Sequence, residues 1–463
     1  MPISDRHARR VATAVLAQLL FVLMSSRPTH AQPAPATARV VLDTYVNEAI
    51  GANLSLARQR EQVASANAEV REARGRLMPS LDVNARYSAV SGAVNIGDLI
   101  NPAYGALNGL LGTQRFPTDI NATLPFKQET KLELAVPIFN GAIGAATAVA
   151  RARRDLVGAG RHAAMRRLAA DVQRAWLVAA SVEQAIATLE ATLPVLDENV
   201  RVSQRLIDAG QATPDVLLRA RSERSDIQQQ LDDARRQRNE ARRAFNLLLD
   251  REPDAAIILA RDSSLLAADS MSRDAAVAHA MTHREELHEA RVGIALADAR
   301  RRLAGTGYLP SLALTASYGI QGNAYRVGRN SDIALANLVF SWNLFSGGRT
   351  NARREQATAG RDEAELQRRE TERAVRVEVE NAYDGVQAAR GALVSADDRL
   401  ASAQRAFTLV ERRYAVGLAS AIEFLGARSS YTAAAINQVV TRFTFATRVV
   451  ELERAAALRS IPE

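Results

Sequence analysis

The sequence predicts a mainly α-helical fold with a small β part, built as two copies of one long-helix unit. Three observations predict it. First, Leu168, Val172, Ala175, Ala179, Val182, Ile186, Leu189 and Leu193 step 4-3-4-3-4-3-4 along the chain. Val375, Val379, Ala382, Val386, Ala389, Leu393, Ala396 and Leu400 do the same, each 207 residues later. A strict seven-residue apolar repeat is a coiled-coil seam rather than an ordinary core stripe, and one seam met twice in register marks a duplicated unit. Second, a Pro-Ser-Leu step into an alternating segment occurs at Pro79-Ser80-Leu81 and again at Pro310-Ser311-Leu312. Third, Gly210 and Gly417, also 207 residues apart, each close a long helical stretch.

The chain begins with Arg6, Arg9 and Arg10, then the apolar run Val11 to Met24, then the small-residue site Thr29-His30-Ala31. That is the layout of a secretory signal peptide, so residues 1–31 are expected to be removed after Ala31. The 14-residue run falls short of the roughly 20 that a spanning helix needs. No later segment has the unbroken apolar length of a transmembrane helix, so a place in a membrane would have to be built from β-strands.

The first unit is expected over 39–249, the second over 271–458, with residues 250–270 joining them. Each opens with a helix, Arg39 to Arg76 and Asp274 to Gly305, bearing small and apolar residues at helical spacing. Proline then stops the helix at no cost to a strand ladder, as Pro79 and Pro310 sit at strand starts. The hairpins are expected over 79–138 and 310–345. Leu81, Val83, Ala85 and Tyr87 alternate with Asp82, Asn84, Arg86 and Ser88, and Leu312, Leu314, Ala316, Tyr318 and Ile320 alternate with Ala313, Thr315, Ser317 and Gly319. On the return strands Leu132, Leu134 and Val136 oppose Lys131, Glu133 and Ala135, while Leu338, Phe340, Trp342 and Leu344 oppose Asn337, Val339, Ser341 and Asn343. One apolar and one polar face suits a soluble sandwich or a membrane barrel with a wet lumen, and the charges on one face favour the second. Pro79 to Phe139 spans 25 positions more than Pro310 to Phe345, an insertion read as a surface loop between about Ser91 and Gln128.

The strands leave through Ile138-Phe139-Asn140-Gly141 and Leu344-Phe345-Ser346-Gly347-Gly348, with Asn140 and Ser346 as expected N-caps. Helices then run from Gly141 and Gly348 for at least 53 residues each, roughly 80 Å, with a kink expected at Pro194. Tips follow over 206–215 and 413–423, and new helices run from about Pro214 to Leu249 and from Ala421 to Leu458.

Composition narrows the function. The net charge is +8, with 57 Arg against two Lys, Lys127 and Lys131. The arginines alternate with acids along helices, as in Asp232-Asp233-Ala234-Arg235-Arg236, and form no basic patch with interleaved aromatics, so nucleic acid is not an expected partner. The absence of cysteine removes disulfides, thiolate metal sites, a cysteine nucleophile and a lipidated N-terminal cysteine. His279 and His283 are four apart with Glu286 nearby, but no third ligand is compelling, and no metal or cofactor is expected. Gly141-Ala142-Ile143-Gly144 lacks the lysine of a nucleotide loop. No nucleophile–base arrangement or catalytic carboxylate pair stands out, so an enzyme is not expected.

In the order of these motifs, met twice, the chain resembles the outer-membrane efflux protein family, the TolC-like exit ducts. The resemblance rests on the paired Pro-Ser-Leu starts, the Phe139-Asn140-Gly141 and Phe345-Ser346-Gly347-Gly348 exits, Gly210 and Gly417. Trp176 with Tyr383, and Phe245-Asn246-Leu247-Leu248, add to it. It implies a homotrimer in which each chain gives four strands to a twelve-stranded outer-membrane β-barrel surrounded by lipid, and its helices to a periplasmic coiled-coil tube. It implies a passive duct for small molecules such as drugs or toxic compounds, joined to a periplasmic adaptor and an inner-membrane transporter. A type I protein secretion duct, or a periplasmic coiled-coil scaffold without a pore, are the alternatives.

The resemblance also implies sites. Asp215, Glu423 and Tyr414 lie nearest the family's pore entrance and are the candidate gate. Gly210, Thr213, Gly417 and Ser420 are the candidate adaptor-docking tips. Pro79, Phe139, Gly141, Pro310, Phe345 and Gly347 mark the strand–helix junctions. Local physics offers a second reading of the gate: Ser420 to Glu423 fits a capping box, and Thr213-Pro214-Asp215 fits N-cap, N1 and N2. A second acidic position one turn past Glu423 is Gly426 here, which puts cation selectivity in question.

Overall fold

The computed structural model describes residues 38–89, 91, 94–121, 123–124, 126–259, 271–322 and 332–461. The expected signal peptide (1–31) lies outside the described residues, as does the expected linker from 260 to 270.

The opening helix of each unit is broken once, where an unbroken helix is expected. α1 (Ala38–Ala52) gives way to α2 (Leu54–Gly75) at Asn53, whose Oδ1 accepts from the backbone N–H of Ser55 and Leu56 at 3.0 and 3.2 Å. In the second unit α6 (Arg273–His283) gives way to α7 (Glu285–Gly305) at Arg284. Arg284 follows Asn53 by 231 residues, the same offset that separates Pro310 from Pro79. The break is thus a duplicated feature, made with a side-chain cap in one copy and an extended arginine in the other.

Between these helices and the tips run two very long helices, α4 (Gly141–Asp208, 68 residues) and α8 (Arg349–Ala415, 67 residues), each roughly 100 Å. α4 runs through Pro194 and continues to the tip. α5 (Pro214–Leu248) returns along α4, and α9 (Ala421–Ala455) returns along α8. None of the sixteen seam residues is exposed. α4 also packs on α2, α7 and α9, so the two units share one helical body.

The largest core cluster joins α1, α4, the end of α5 and α9 around Leu42, Met165, Trp176 and Phe245. Tyr45 meets Phe245 edge to face at 5.0 Å, and Trp176 donates to the Ile258 carbonyl at 3.0 Å. Asn246, fully buried, donates to the Pro253 and Ala255 carbonyls and folds the start of the connection back onto the helices. Below it, Ile186, Leu189 and Leu196 of α4 pack on Ile227 and Leu231 of α5.

At the other end, β1 (Ser80–Tyr87), β4 (Gln128–Asn140), β5 (Ser311–Gly322) and β6 (Asp332–Ser341) form one antiparallel sheet in the order β1-β4-β5-β6. β4 slips register between Pro137 and Phe139, where proline has no N–H for the ladder. β6 ends at Ser341, short of the expected Leu344, and Trp342 turns back to donate to the Tyr308 carbonyl at 3.1 Å.

Two further expectations are corrected. The insertion between β1 and β4 is not only loop: it holds a two-residue strand pair, β2 (Val94–Asn95) with β3 (Thr123–Leu124), and a 15-residue helix, α3 (Gly97–Leu111). Its Gly, Asn and Pro read as loop formers, yet Pro102 sits within α3 and the asparagines bind the chain that follows. Ser346 is not the N-cap of α8. Gly347 and Gly348 both take positive φ (60° and 82°), which carries the chain past Ser346 before the helix starts, and Gly348 becomes the cap. Asn140 does cap α4, its Oδ1 accepting from the Ala142 N–H at 3.0 Å.

Candidate functional site

Two parts of the molecule carry the features that matter for function: the sheet at one end and the helical tips at the other.

The strand register places every alternating residue. Leu81 and Leu134, Val83 and Leu132, Leu132 and Tyr318, Leu314 and Leu338, and Leu312 and Phe340 are cross-strand pairs, so they share one face. Asp82 and Glu133, Asn84 and Lys131, and Arg86 and Glu129 pair on the other. There Lys131 Nζ lies 2.7 Å from Glu133 and 3.2 Å from Glu129, and Arg86 bonds Glu129 at 2.9 Å. The apolar face has no cover: Leu81, Val83, Tyr87, Tyr318, Leu338 and Phe340 are all exposed. Both outer strands, β1 and β6, leave a row of ladder groups unpaired, and every residue in them is exposed. Such a sheet cannot rest in lipid alone, because open edges strand N–H and C=O groups where no water can reach them. Among the described residues no helix is long and apolar enough to cross a membrane.

Of the expected junction residues, Pro79 and Pro310 immediately precede β1 and β5. Phe139 lies near the end of β4 and pairs with Leu312, while Phe345 lies past β6 and is exposed. Gly141 opens α4 beside Leu309, whose Cδ1 would stand 2.8 Å from an added Cβ.

At the far end both turns are Schellman motifs. Gly210 N–H bonds the Ile207 carbonyl and Gln211 N–H the Leu206 carbonyl, each at 2.8 Å. Gly417 N–H bonds the Tyr414 carbonyl at 3.1 Å and Leu418 N–H the Arg413 carbonyl at 2.8 Å. The glycines hold φ of 72° and 75°, the left-handed value this motif needs.

The expected tip residues divide. Gly210, Thr213, Tyr414 and Gly417 line one cleft of about 1220 Å3 between the two turns, with Glu198, Glu411 and Phe424. Ser420, Asp215 and Glu423 do not line it. Ser420 and Glu423 form a full capping box: Ser420 N–H donates to the Glu423 carboxylate at 2.7 Å, and Glu423 N–H to Ser420 Oγ at 3.2 Å. The Ser420 backbone N–H, with its hydroxyl, holds the Glu423 carboxyl below the usual range. Thr213 is the N-cap of α5 and Pro214 is N1, but the Thr213 hydroxyl gives its hydrogen bond to the Asp215 carboxylate rather than to the backbone. Asp215 and Glu423 are both exposed, and so is Gly426.

The aromatic packing behind this surface was not expected from the sequence. Tyr414 stacks on Phe424, Phe424 meets Phe407 at 5.8 Å, and Phe407 stacks parallel to Tyr431 at 5.7 Å. The Arg428 guanidinium lies over both Phe407 (5.1 Å) and Tyr431 (5.6 Å). Burial lowers the Arg428 pKa and raises that of Tyr414. The available signal was spacing: Phe424, Arg428, Tyr431 and Thr432 fall at i, i+4, i+7 and i+8, one helix face.

The two histidines bond backbone: His279 Nδ1 lies 2.8 Å from the Ala456 carbonyl and His283 Nδ1 3.0 Å from the His279 carbonyl. Their rings stack at 4.1 Å.

A sequence model for the outer membrane efflux protein family matches residues 45–250 and 276–458. No curated protein matches the chain at a significant level. Among solved structures, the fold is similar to a membrane protein from Pseudomonas aeruginosa at TM-score 0.73 and 20% identity, covering 93% of this chain and 99% of that one. It is similar to the outer membrane protein VceC of Vibrio cholerae at TM-score 0.71 and 18% identity (90% and 95% covered). It is also similar to the CmeC outer membrane channel of Campylobacter jejuni at TM-score 0.71 and 16% identity (90% and 85% covered).

Proposed function

We propose, for a chain that belongs to the outer membrane efflux protein family, that three copies assemble into a passive exit duct of a tripartite export system for small molecules. The observation that carries this reading is the four-stranded sheet, with one apolar face, charges gathered on the other face across β1 and β4, and both edges open. β1 of one copy would pair with β6 of the next, which removes every edge and leaves the apolar face to lipid and the charged face to a wet lumen. The helices would line a periplasmic tube below it.

Export through the N-terminal signal and insertion in the outer membrane belong to the same reading. The cleft between the tips, with Gly210, Thr213 and Gly417 on its wall, is where an adaptor hairpin would dock. Ser420 would border that contact from the first turn of α9. Asp215, Glu423 and Tyr414 would stand at the pore entrance. Energy would come from the inner-membrane transporter. The efflux description of the family supports small-molecule cargo over a secreted protein.

The test is conductance of the purified, detergent-extracted protein in a planar bilayer, with its mass measured in the same detergent. Discrete channels from a trimer are expected. A water-soluble, non-conducting protein returns the scaffold reading and removes the barrel.

A further inference from the structure

The insertion in the first hairpin carries a helix that faces the wrong way for a soluble protein. The polar side of α3 is turned towards its own loop. Asn101 exchanges two hydrogen bonds with the backbone of Ile120, both 2.9 Å. Asn108 exchanges two with the backbone of Phe116, at 2.7 and 3.0 Å, and the Tyr104 ring lies 5.3 Å from that of Phe116. At about 100° per residue, Leu99, Ala103, Ala106, Leu107 and Leu110 fall within roughly 100° on the opposite side. That stripe is bare: Leu99 is 81% and Leu110 85% exposed. An uncovered apolar stripe held rigidly by four side-chain hydrogen bonds is an interaction surface.

Three facts select its partner. The helix has one charged residue, Asp98, and no basic one, whereas helices that lie on a lipid surface carry Lys and Arg on the polar side. Its two hydrogen-bonding asparagines, Asn101 and Asn108, are already spent on the backbone of their own loop rather than turned to headgroups. The insertion follows β1, an edge strand that needs a second copy of this chain, and it leaves β1 at the end of the sheet away from the helices. A surface that continues from that edge meets the same copies.

We infer that the apolar stripes of three α3 helices, one from each copy, pack together across the outer mouth of the barrel and narrow it. This rests on the trimeric duct reading. The dimensions agree. Three four-stranded sheets make twelve strands, and with strands about 4.8 Å apart and tilted about 40° the backbone radius is about 12 Å. Three helices of about 10 Å diameter around one axis fill a circle of about 11 Å radius. Ala103 and Ala106, between the leucines, let the helices approach closely. The duct would then have a constriction at the outer mouth, in addition to any at the periplasmic tips.

The chain has no cysteine, so Leu110→Cys introduces a single thiol. Purified trimers of this variant are oxidised and run without reductant, with Asp98→Cys as the control on another side of the helix. A disulfide-linked dimer band for Leu110→Cys, absent for Asp98→Cys, is expected, with conductance that rises on reduction. The triple variant Leu99→Ser, Leu107→Ser, Leu110→Ser should keep the trimer mass and conduct severalfold more. Trimers of correct mass that give no dimer band, with unchanged conductance in the triple variant, overturn the inference and leave the duct reading standing. Loss of the trimer in the unaltered protein overturns both.

Discussion

Tyr414 lies against Phe424 with ring centroids 4.8 Å apart and planes 22° from parallel, and this contact ties the last turn of α8 to the first turn of α9. Phe424 is buried although it sits four residues from a solvent-exposed turn, because Tyr414 and Phe407 cover it. Phe424→Ala removes the centre of that cluster and should cost about 3 kcal/mol of local stability. Hydrogen exchange read by mass spectrometry should rise over 407–431 and stay unchanged around Trp176 and Phe245. Equal protection over 407–431 in wild type and variant would mean that the cluster does not hold the tip.

Gly417 separates the turn from what binds it. An added Cβ there meets nothing within 4 Å, so a substitution is opposed only by the positive φ of 75°. Gly417→Val should distort the turn by more than about 1 kcal/mol and abolish transport while trimers persist. Gly417→Asn keeps a residue that tolerates this φ but places a side chain on the cleft wall. If docking uses this surface, the Asn variant should also lose transport while its hydrogen exchange stays that of wild type. Full transport in both variants would argue against an adaptor at this tip.

The repeat was legible because each of its parts is local. Seam spacing, a proline before a strand and a glycine after a helix need no tertiary contact to be read, and the 207-residue offset survives in the structure at Gly210 and Gly417. The breaks at Asn53 and Arg284 were not legible, since the apolar spacing runs through both and the cause lies far away in sequence. Asn53 is held by the Leu248 carbonyl and Arg284 by Glu378 and the Ala455 carbonyl. α3 was missed for the opposite reason: its asparagines and glycines are loop formers by propensity, and only pairing with Ile120 and Phe116 makes them a helix. At the tips the capping reading of Ser420 and Glu423 was available from sequence and is what the structure forms.

The same capping box sets a pH dependence. The Ser420 N–H and hydroxyl stabilise the ionised Glu423, so its folded pKa lies below its unfolded value. The cap's contribution is therefore complete above the ordinary glutamate pKa of about 4.3 and is lost as pH falls through the lower folded value. Exchange of the Phe424 and Leu425 amides, relative to their intrinsic rates, should accelerate below about pH 4 and be flat with pH in Glu423→Gln. A gate role adds a second readout. Asp215→Ala with Glu423→Ala should raise single-channel conductance at neutral pH. Unchanged conductance and unchanged block by multivalent cations would leave these residues as caps alone.

The last prediction concerns the helix break at Arg284, which is 4% exposed and bonds three groups from separate elements. Its guanidinium reaches Glu286 at 2.7 Å, Glu378 at 2.8 Å and the Ala455 carbonyl at 2.8 Å, joining α7, α8 and α9. Burial pushes the Glu286 carboxyl up, and the bonded guanidinium outweighs this and holds it below the usual range. Arg284→Ala should cost about 3–5 kcal/mol, because it leaves a half-buried carboxylate and a buried carbonyl without their partner. With Arg284 gone, burial, the largest influence on Glu286, is opposed only by its own backbone N–H and by Arg167 and should lift its pKa above the unfolded value. The sign of its contribution then reverses: the protonated form is favoured in the fold, so stability returns as pH falls through the raised value. Hydrogen exchange around Val277 and Val379 should therefore show a defect in Arg284→Ala that is large at pH 8 and smaller at pH 5. The double variant Arg284→Ala, Glu286→Gln should be less damaged at pH 8 and lose that pH dependence. A defect equal at both pH values in the single variant would place the cost in lost packing rather than in the stranded carboxylate.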